Sequence, residues 1–170
     1  MARMGHKLSV IKASTMPERL LFVDTETTQL PDGQGKVYQE FMLGVAIYLR
    51  FRRDGKPNRK IVHRFGSISD FWNIVNQHAK QKNVLYLISH NAVFDFTVLQ
   101  HMTYLTKNGY DCKFVYDGGH CFIAKWRKDK TTIVILNNAN WFAGKLEKWG
   151  QELNLPKLTM PKDLDTKEKW

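Results

Sequence analysis

Cysteine is scarce in this chain: Cys112 and Cys121 are the only two, and no Cys-x-x-Cys pair exists. A single neighbouring histidine, His120, does not make a zinc site, so the cysteines predict free thiols in a reducing compartment. A disulfide across a hairpin is conceivable in geometry, but nothing in the sequence asks for it. Long apolar runs are lacking as well. The longest, residues 41–49, is too short to span a bilayer and stops at Arg50. Residues 1–12 hold basic side chains without an apolar signal region or a small-residue cleavage site, so an intracellular, non-secreted, non-membrane protein is expected. Acid is in deficit: 26 Lys and Arg face 16 Asp and Glu, a net charge of +10 that suggests a polyanionic partner, although solubility alone also explains a basic surface. No repeat, low-complexity tract or interdomain linker interrupts the chain. With 170 residues, 43% apolar and 25% charged, it suits one globular domain.

Against this background one stretch stands out, Arg19-Leu20-Leu21-Phe22-Val23-Asp24-Thr25-Glu26-Thr27-Thr28. An apolar run leads into two carboxylates one residue apart. In an extended strand, Asp24 and Glu26 share a face while Thr25 points the other way. Carboxylates held that close repel unless a cation, a proton or a cationic partner sits between them.

The rest of the chain reads as mixed α/β. Residues 1–18 form a lead-in, 20–25 a strand, and 29–35 a turn by their Pro and Gly content. Segments 40–51 and 59–65 pair as a hairpin around Asp54-Gly55. Ser67 or Ser69 can cap a helix over 70–81 with Phe71, Ile74, Val75 and His78 on one face. A buried strand at 84–88 follows, then one helix over 93–107 closing at Asn108-Gly109. Three short strands are expected at 112–116, 120–127 and 131–136, and a third helix at 141–153.

Just past the strand at 84–88 lies a second constellation, Ser89-His90-Asn91-Ala92-Val93-Phe94-Asp95. In this order and context, the two stretches resemble the first two motifs of the DEDD superfamily of 3′–5′ exonucleases, and above all the proofreading exonuclease domains of family B DNA polymerases. The resemblance implies a ribonuclease-H-like sheet flanked by helices over residues 19–170. It also implies hydrolysis of phosphodiesters at single-stranded DNA 3′ ends, with RNA left open. Such chemistry uses two divalent cations, Mg²⁺ or Mn²⁺, roughly 4 Å apart, to activate water and to stabilise the leaving oxygen. Hard cations favour oxygen ligands. By resemblance Asp24 bridges both ions, Glu26 binds the one that activates water, and Asp95 helps hold the other. Thr27, Thr28 and Leu30 correspond to contacts with the terminal nucleotide, Asn91 belongs to the second motif, and Phe94 packs beneath the site. Plainer roles stand beside these: Asp95 suits a helix N-terminus for its charge alone, Asn91 can cap that helix, and His90 suits a structural hydrogen bond at a strand end.

The resemblance continues through 133–157 and then departs from the pattern. The family's last metal-binding Asp sits in a Tyr-x3-Asp or His-x4-Asp arrangement, yet no tyrosine follows Tyr116 and no histidine follows His120. The expectation is a truncated member, part of a longer exonuclease or polymerase chain and weakly active alone. Substitution by Asp163, Asp165 or Glu168, or a catalytically impaired nucleic-acid-binding module on the same fold, are the alternatives. Basic residues in two groups, Arg50, Arg52 and Arg53 with 59–64, and Lys125 and Arg127 within 125–130, can track a phosphate backbone. Trp126, Trp141 and Tyr116 can stack on unpaired bases or simply pack.

Overall fold

The computed structural model describes residues 17–31, 33–52, 54–119 and 121–155. Most of the lead-in, Arg53, His120 and the segment 156–170, with Asp163, Asp165 and Glu168, lie outside the described residues. Among the described residues seven strands are present: β1 (Arg19–Pro31), β2 (Val37–Phe51), β3 (Pro57–Phe65), β4 (Val84–Ser89), β5 (Asp111–Asp117), β6 (Phe122–Lys128) and β7 (Thr131–Asn137). Four helices accompany them: α1 (Ile68–His78), α2 (Ala92–Val98), α3 (His101–Lys107) and α4 (Leu146–Glu152). The strands form one mixed sheet in the order β3-β2-β1-β4-β7-β6-β5. β1, β4 and β7 run parallel, while β2, β3, β5 and β6 join by antiparallel pairing. The end where β1, β4 and β7 begin is the lower edge below, and the end where they finish is the upper edge.

One face of the sheet carries the core. Alternation puts Leu21, Val23 and Thr25 of β1 inward, opposite Tyr48, Ala46 and Gly44 of β2. Leu85 and Leu87 of β4 and Ile133 and Ile135 of β7 continue the layer. Phe71, Trp72, Phe96, Leu99 and Leu105, from α1 to α3 and the link between α2 and α3, close over it, all at 1% exposure or less. Each such side chain contributes roughly 1.5–3 kcal/mol by leaving water. Ser67 starts α1 as foreseen: the Asp70 N–H donates to its Oγ at 3.0 Å, and its hydroxyl donates to Asp70 Oδ2 at 2.7 Å. The helix stops three residues early, at His78.

Three expectations need correction. The single helix over 93–107 is two, broken at Gln100, whose φ of +53° is left-handed. Side chains satisfy the carbonyls around the break. The Trp72 indole N–H donates to Leu99 O at 2.9 Å, and His101 Nδ1–H donates to Phe96 O at 2.7 Å. Second, the helix over 141–153 is reduced to α4, because a 3-10 turn at Asn138–Asn140 comes first and Trp141 to Lys145 do not coil. Third, β1 runs on to Pro31, through the first residues of the expected turn. Its pairing with β2 covers all thirteen residues, whereas it pairs with β4 only at Leu20–Phe22. Past Phe22 β1 has no β4 partner, and past Thr25, where β2 parts from β3 at Gly44, the two strands leave the sheet as a ribbon, bulged between Glu26 and Thr27.

Candidate active site

Asp24 and Glu26 lie at the root of this ribbon. Thr25 between them is buried at 7% exposure on the core face, so both carboxylates stand on the opposite face. Phe22 of β1 is level with Ile88 of β4, so Asp24 sits just past the end of β4, at the upper edge. That is where open α/β sheets place their ligands. Across from the pair stand His90 and α4, which wall a cleft of about 760 Å³ that also includes Lys145, Glu147 and Trp149. His90 Nε2–H donates to the Gly144 carbonyl at 2.8 Å, which ties the loop before α4 to the end of β4. Its buried Nδ1, an acceptor in that tautomer, has no hydrogen-bond partner among the described residues. The structural role expected for His90 is the one seen.

Asp95 lies elsewhere. It follows the N-cap residue Asn91 in the first turn of α2 and is 4% exposed, on the core side of β1. The Thr25 hydroxyl donates to Asp95 Oδ1 at 2.6 Å. Burial pushes the carboxyl above its usual range; the Thr25 hydroxyl and the nearby Ser89 hydroxyl oppose that rise, and the charge of Asp24 adds to it. Ser89 Oγ is buried beside the carboxyl without completing a well-formed hydrogen bond. Asp24 and Asp95 thus feel each other's charge across the thickness of β1, while Thr25 holds Asp95 away from the cleft.

Asp24 and Glu26, two oxygen donors on one face of an open cleft, fit one hard divalent cation. The set of three carboxylates does not assemble: among the described residues no three His, Cys, Asp or Glu side chains are grouped to hold an ion.

The expected substrate contacts also divide. Thr27 Oγ1 donates to Gln39 Oε1 at 2.6 Å, and Gln39, Asn91 and Phe94 line a second hollow of about 600 Å³ against α2. Asn91 makes no side-chain cap hydrogen bond, and Phe94 is only half-buried. Thr28 and Leu30 are exposed on the ribbon. Arg50 and Arg52 lie near the lower end of β2, and Arg127 near the lower end of β6, at the edge opposite the carboxylates; Lys125 stands on β6 two residues above Arg127. Trp126 is 2% exposed and belongs to the core, whereas Trp141 and Tyr116 are exposed at 60% and 50%. Two participants escaped the sequence reading. Thr25 is marked only by its inward parity between two acids, and Glu147 by its place in α4 over the cleft. Cys112 and Cys121 are both free thiols. No described helix is long and apolar enough to cross a membrane. Comparison of the chain with protein-family models, with curated proteins and with solved structures gives no match.

Proposed function

We propose that this chain is a metal-dependent 3′–5′ exonuclease domain of the ribonuclease-H-like class, acting on single-stranded DNA ends. The observation that carries the reading is the pair Asp24 and Glu26, held on one face of β1 where it runs past the end of β4 and facing an open cleft. The strand order β3-β2-β1-β4-β7, with parallel pairing from β1 to β7, supports the fold, and β5–β6 is then a hairpin added before β7. This is a fold-level analogy, so the activity rests on the site.

Asp24 and Glu26 would hold a divalent cation, which when bound supplies an activated water and a counter-charge for the leaving oxygen. The chain's own contribution is to bring the two acids together and to keep His90 and α4 fixed opposite them. Asp95 acts on the pair through its charge, since its repulsion of Asp24 is relieved when a cation is bound. With Asp95 held by Thr25, hydrolysis by these residues is slow. That same bond favours a second reading, a nucleic-acid-binding module with impaired catalysis.

Digestion of a 5′-labelled single-stranded oligonucleotide with Mg²⁺ or Mn²⁺ separates the two. The expected result is a weak ladder shortening from the 3′ end, lost in Asp24→Ala. No ladder with either ion, alongside retained oligonucleotide binding, would sink the exonuclease reading and leave the binding module.

A further inference from the structure

At the lower edge, far from the carboxylates, the strand register sets like charges against one another. Arg59 of β3 stands opposite Arg50 of β2, and Arg50 stands opposite Arg19 of β1. Directly opposed like charges weaken a sheet, so three arginines in a row on neighbouring strands oppose folding unless something neutralises them. Among the described residues no ion pair does. The ion pairs that form, Lys113 with Asp111 and Lys148 with Glu152, lie elsewhere. Among the described residues Arg19 reaches only the His78 carbonyl, at 3.5 Å, and its buried Nε has no hydrogen-bond partner. The β1 end of the row is thus left without a neutralising charge among the described residues.

The row continues around the edge. Two hollows of about 180 and 340 Å³ share Lys82, Asn83 and Val84, and so adjoin along the groove of this edge. The first includes Arg19 and the second Arg127 and Lys130. Lys82 joins them from a turn that holds it at a left-handed φ of +64°, with its N–H bound to Lys130 O at 2.8 Å. A lysine is strained there where glycine or asparagine would not be. Acids near the groove are few: Glu18 lines the first hollow, and Asp129 follows Arg127 by two residues.

We propose that this lower edge is a docking surface for the phosphodiester backbone of a nucleic-acid strand, which runs from Arg59, Arg50 and Arg19 through Lys82 to Lys130 and Arg127. From β3 to β6 the path crosses five strand spacings, about 24 Å at roughly 4.8 Å each. It lies five residues down β1 from Asp24, about 16 Å away at roughly 3.3 Å per residue, and so is separate from the cleft. Its ligand is recognised by charge, without base identity, and the inference stands whether or not the cleft is catalytic.

The test is fluorescence anisotropy of a labelled twenty-nucleotide oligothymidylate, titrated with the full chain in EDTA at several salt concentrations. Lys82→Asn, Arg127→Gln and Lys130→Gln together should weaken binding at least tenfold at low salt. For single strands they should also flatten the log–log salt slope by about 2, or roughly 0.7 for each phosphate that is no longer neutralised. Arg50→Gln with Arg59→Gln should weaken binding while raising the melting temperature, the signature of relieved repulsion. An equal loss in Lys107→Gln, Lys113→Gln and Lys148→Gln would make the effect one of net charge and overturn the proposal. So would an unchanged slope in the first triple variant, or equally tight binding of labelled polyglutamate.

Discussion

Replacing Asp95 with asparagine preserves the shape of the side chain and removes the one buried carboxylate among the described residues. Burial raises its pKa, so between the unfolded value near 3.8 and the folded value the native state holds more protons than the unfolded chain. The carboxyl's contribution to stability is therefore best at low pH and is lost as pH rises through the folded value. At neutral pH the protein bears the full desolvation of the charge, offset by the Thr25 hydroxyl at 2.6 Å. In Asp95→Asn the amide oxygen can still accept from Thr25. Its NH₂ can donate to Ser89 Oγ, which is buried without a partner. One gained hydrogen bond and one relieved charge together add about 1 kcal/mol at pH 7, or about 3 °C in melting temperature for a domain of this size. Urea unfolding of both proteins at pH 7 and at pH 4 measures it. The midpoint of Asp95→Asn should be higher at pH 7, the gap should close toward pH 4, and the slope should not change. An asparagine variant less stable than wild type at pH 7, or a gain independent of pH, refutes the reasoning. If Asp95 assists catalysis, the same substitution slows digestion while it stabilises, the trade-off usual for functional residues.

Two further outcomes follow from packing elsewhere. His78 stacks on Tyr48 at 3.8 Å and shares a proton with His63, Nε2 to Nε2 at 2.9 Å. Burial, then His63, Arg59, Lys80 and Arg19, lower its pKa to about 4. Because the unfolded chain takes up that proton near 6.5, this stability is complete above pH 6.5 and is lost as pH falls toward 4. With solvent screening of a half-buried ring, the loss is about 1–2 kcal/mol. Urea midpoints from pH 7 to 4.5 should fall less steeply in His78→Gln, and parallel curves would contradict the assignment. At Gly44, a Cβ would land within the Phe65 ring, itself packed against Phe41 at 5.6 Å and Phe71 at 5.2 Å. Gly44→Ala should cost about 2 kcal/mol by overpacking, seen as a lower melting temperature; an unchanged one would show that the ring has room to move.

Much of the architecture is legible in the sequence because it is local. Alternation along β1, β4 and β7 marks buried strands, Ser67 announces α1, and Asp54-Gly55 marks the hairpin turn, with φ at Gly55 of +77°. What escapes is what distant residues decide. No glycine or proline signals the break at Gln100; Trp72 and His101 make it tolerable by donating to the freed carbonyls. The ribbon at Thr27–Pro31 is hidden because the Pro and Gly that read as a turn begin inside a strand that β2 sustains. In the site, the shared face of Asp24 and Glu26 follows from strand parity, and α2 does begin beside Asp95. The inward pull of Thr25 on Asp95 depends on how α2 docks, which no spacing encodes. The line of Arg59, Arg50 and Arg19 likewise exists only once two registers are known.

Mechanically, the paired ribbon of β1 and β2 is a beam clamped at one end. The clamp is the three-residue parallel pairing of Leu20–Phe22 with β4 on one side and, on the other, the pairing of β2 with β3 as far as Gly44, opposite Thr25. Asp24 and Glu26 straddle the end of this clamp, Glu26 immediately before the bulge, whereas His90 belongs to the clamped side. Bending of the ribbon past Thr25 therefore shifts Glu26 relative to the wall of His90 and α4, and changes the width of the cleft by local opening rather than by global unfolding. A ligand that bridges the acids and the wall would stiffen the whole ribbon out to Pro31.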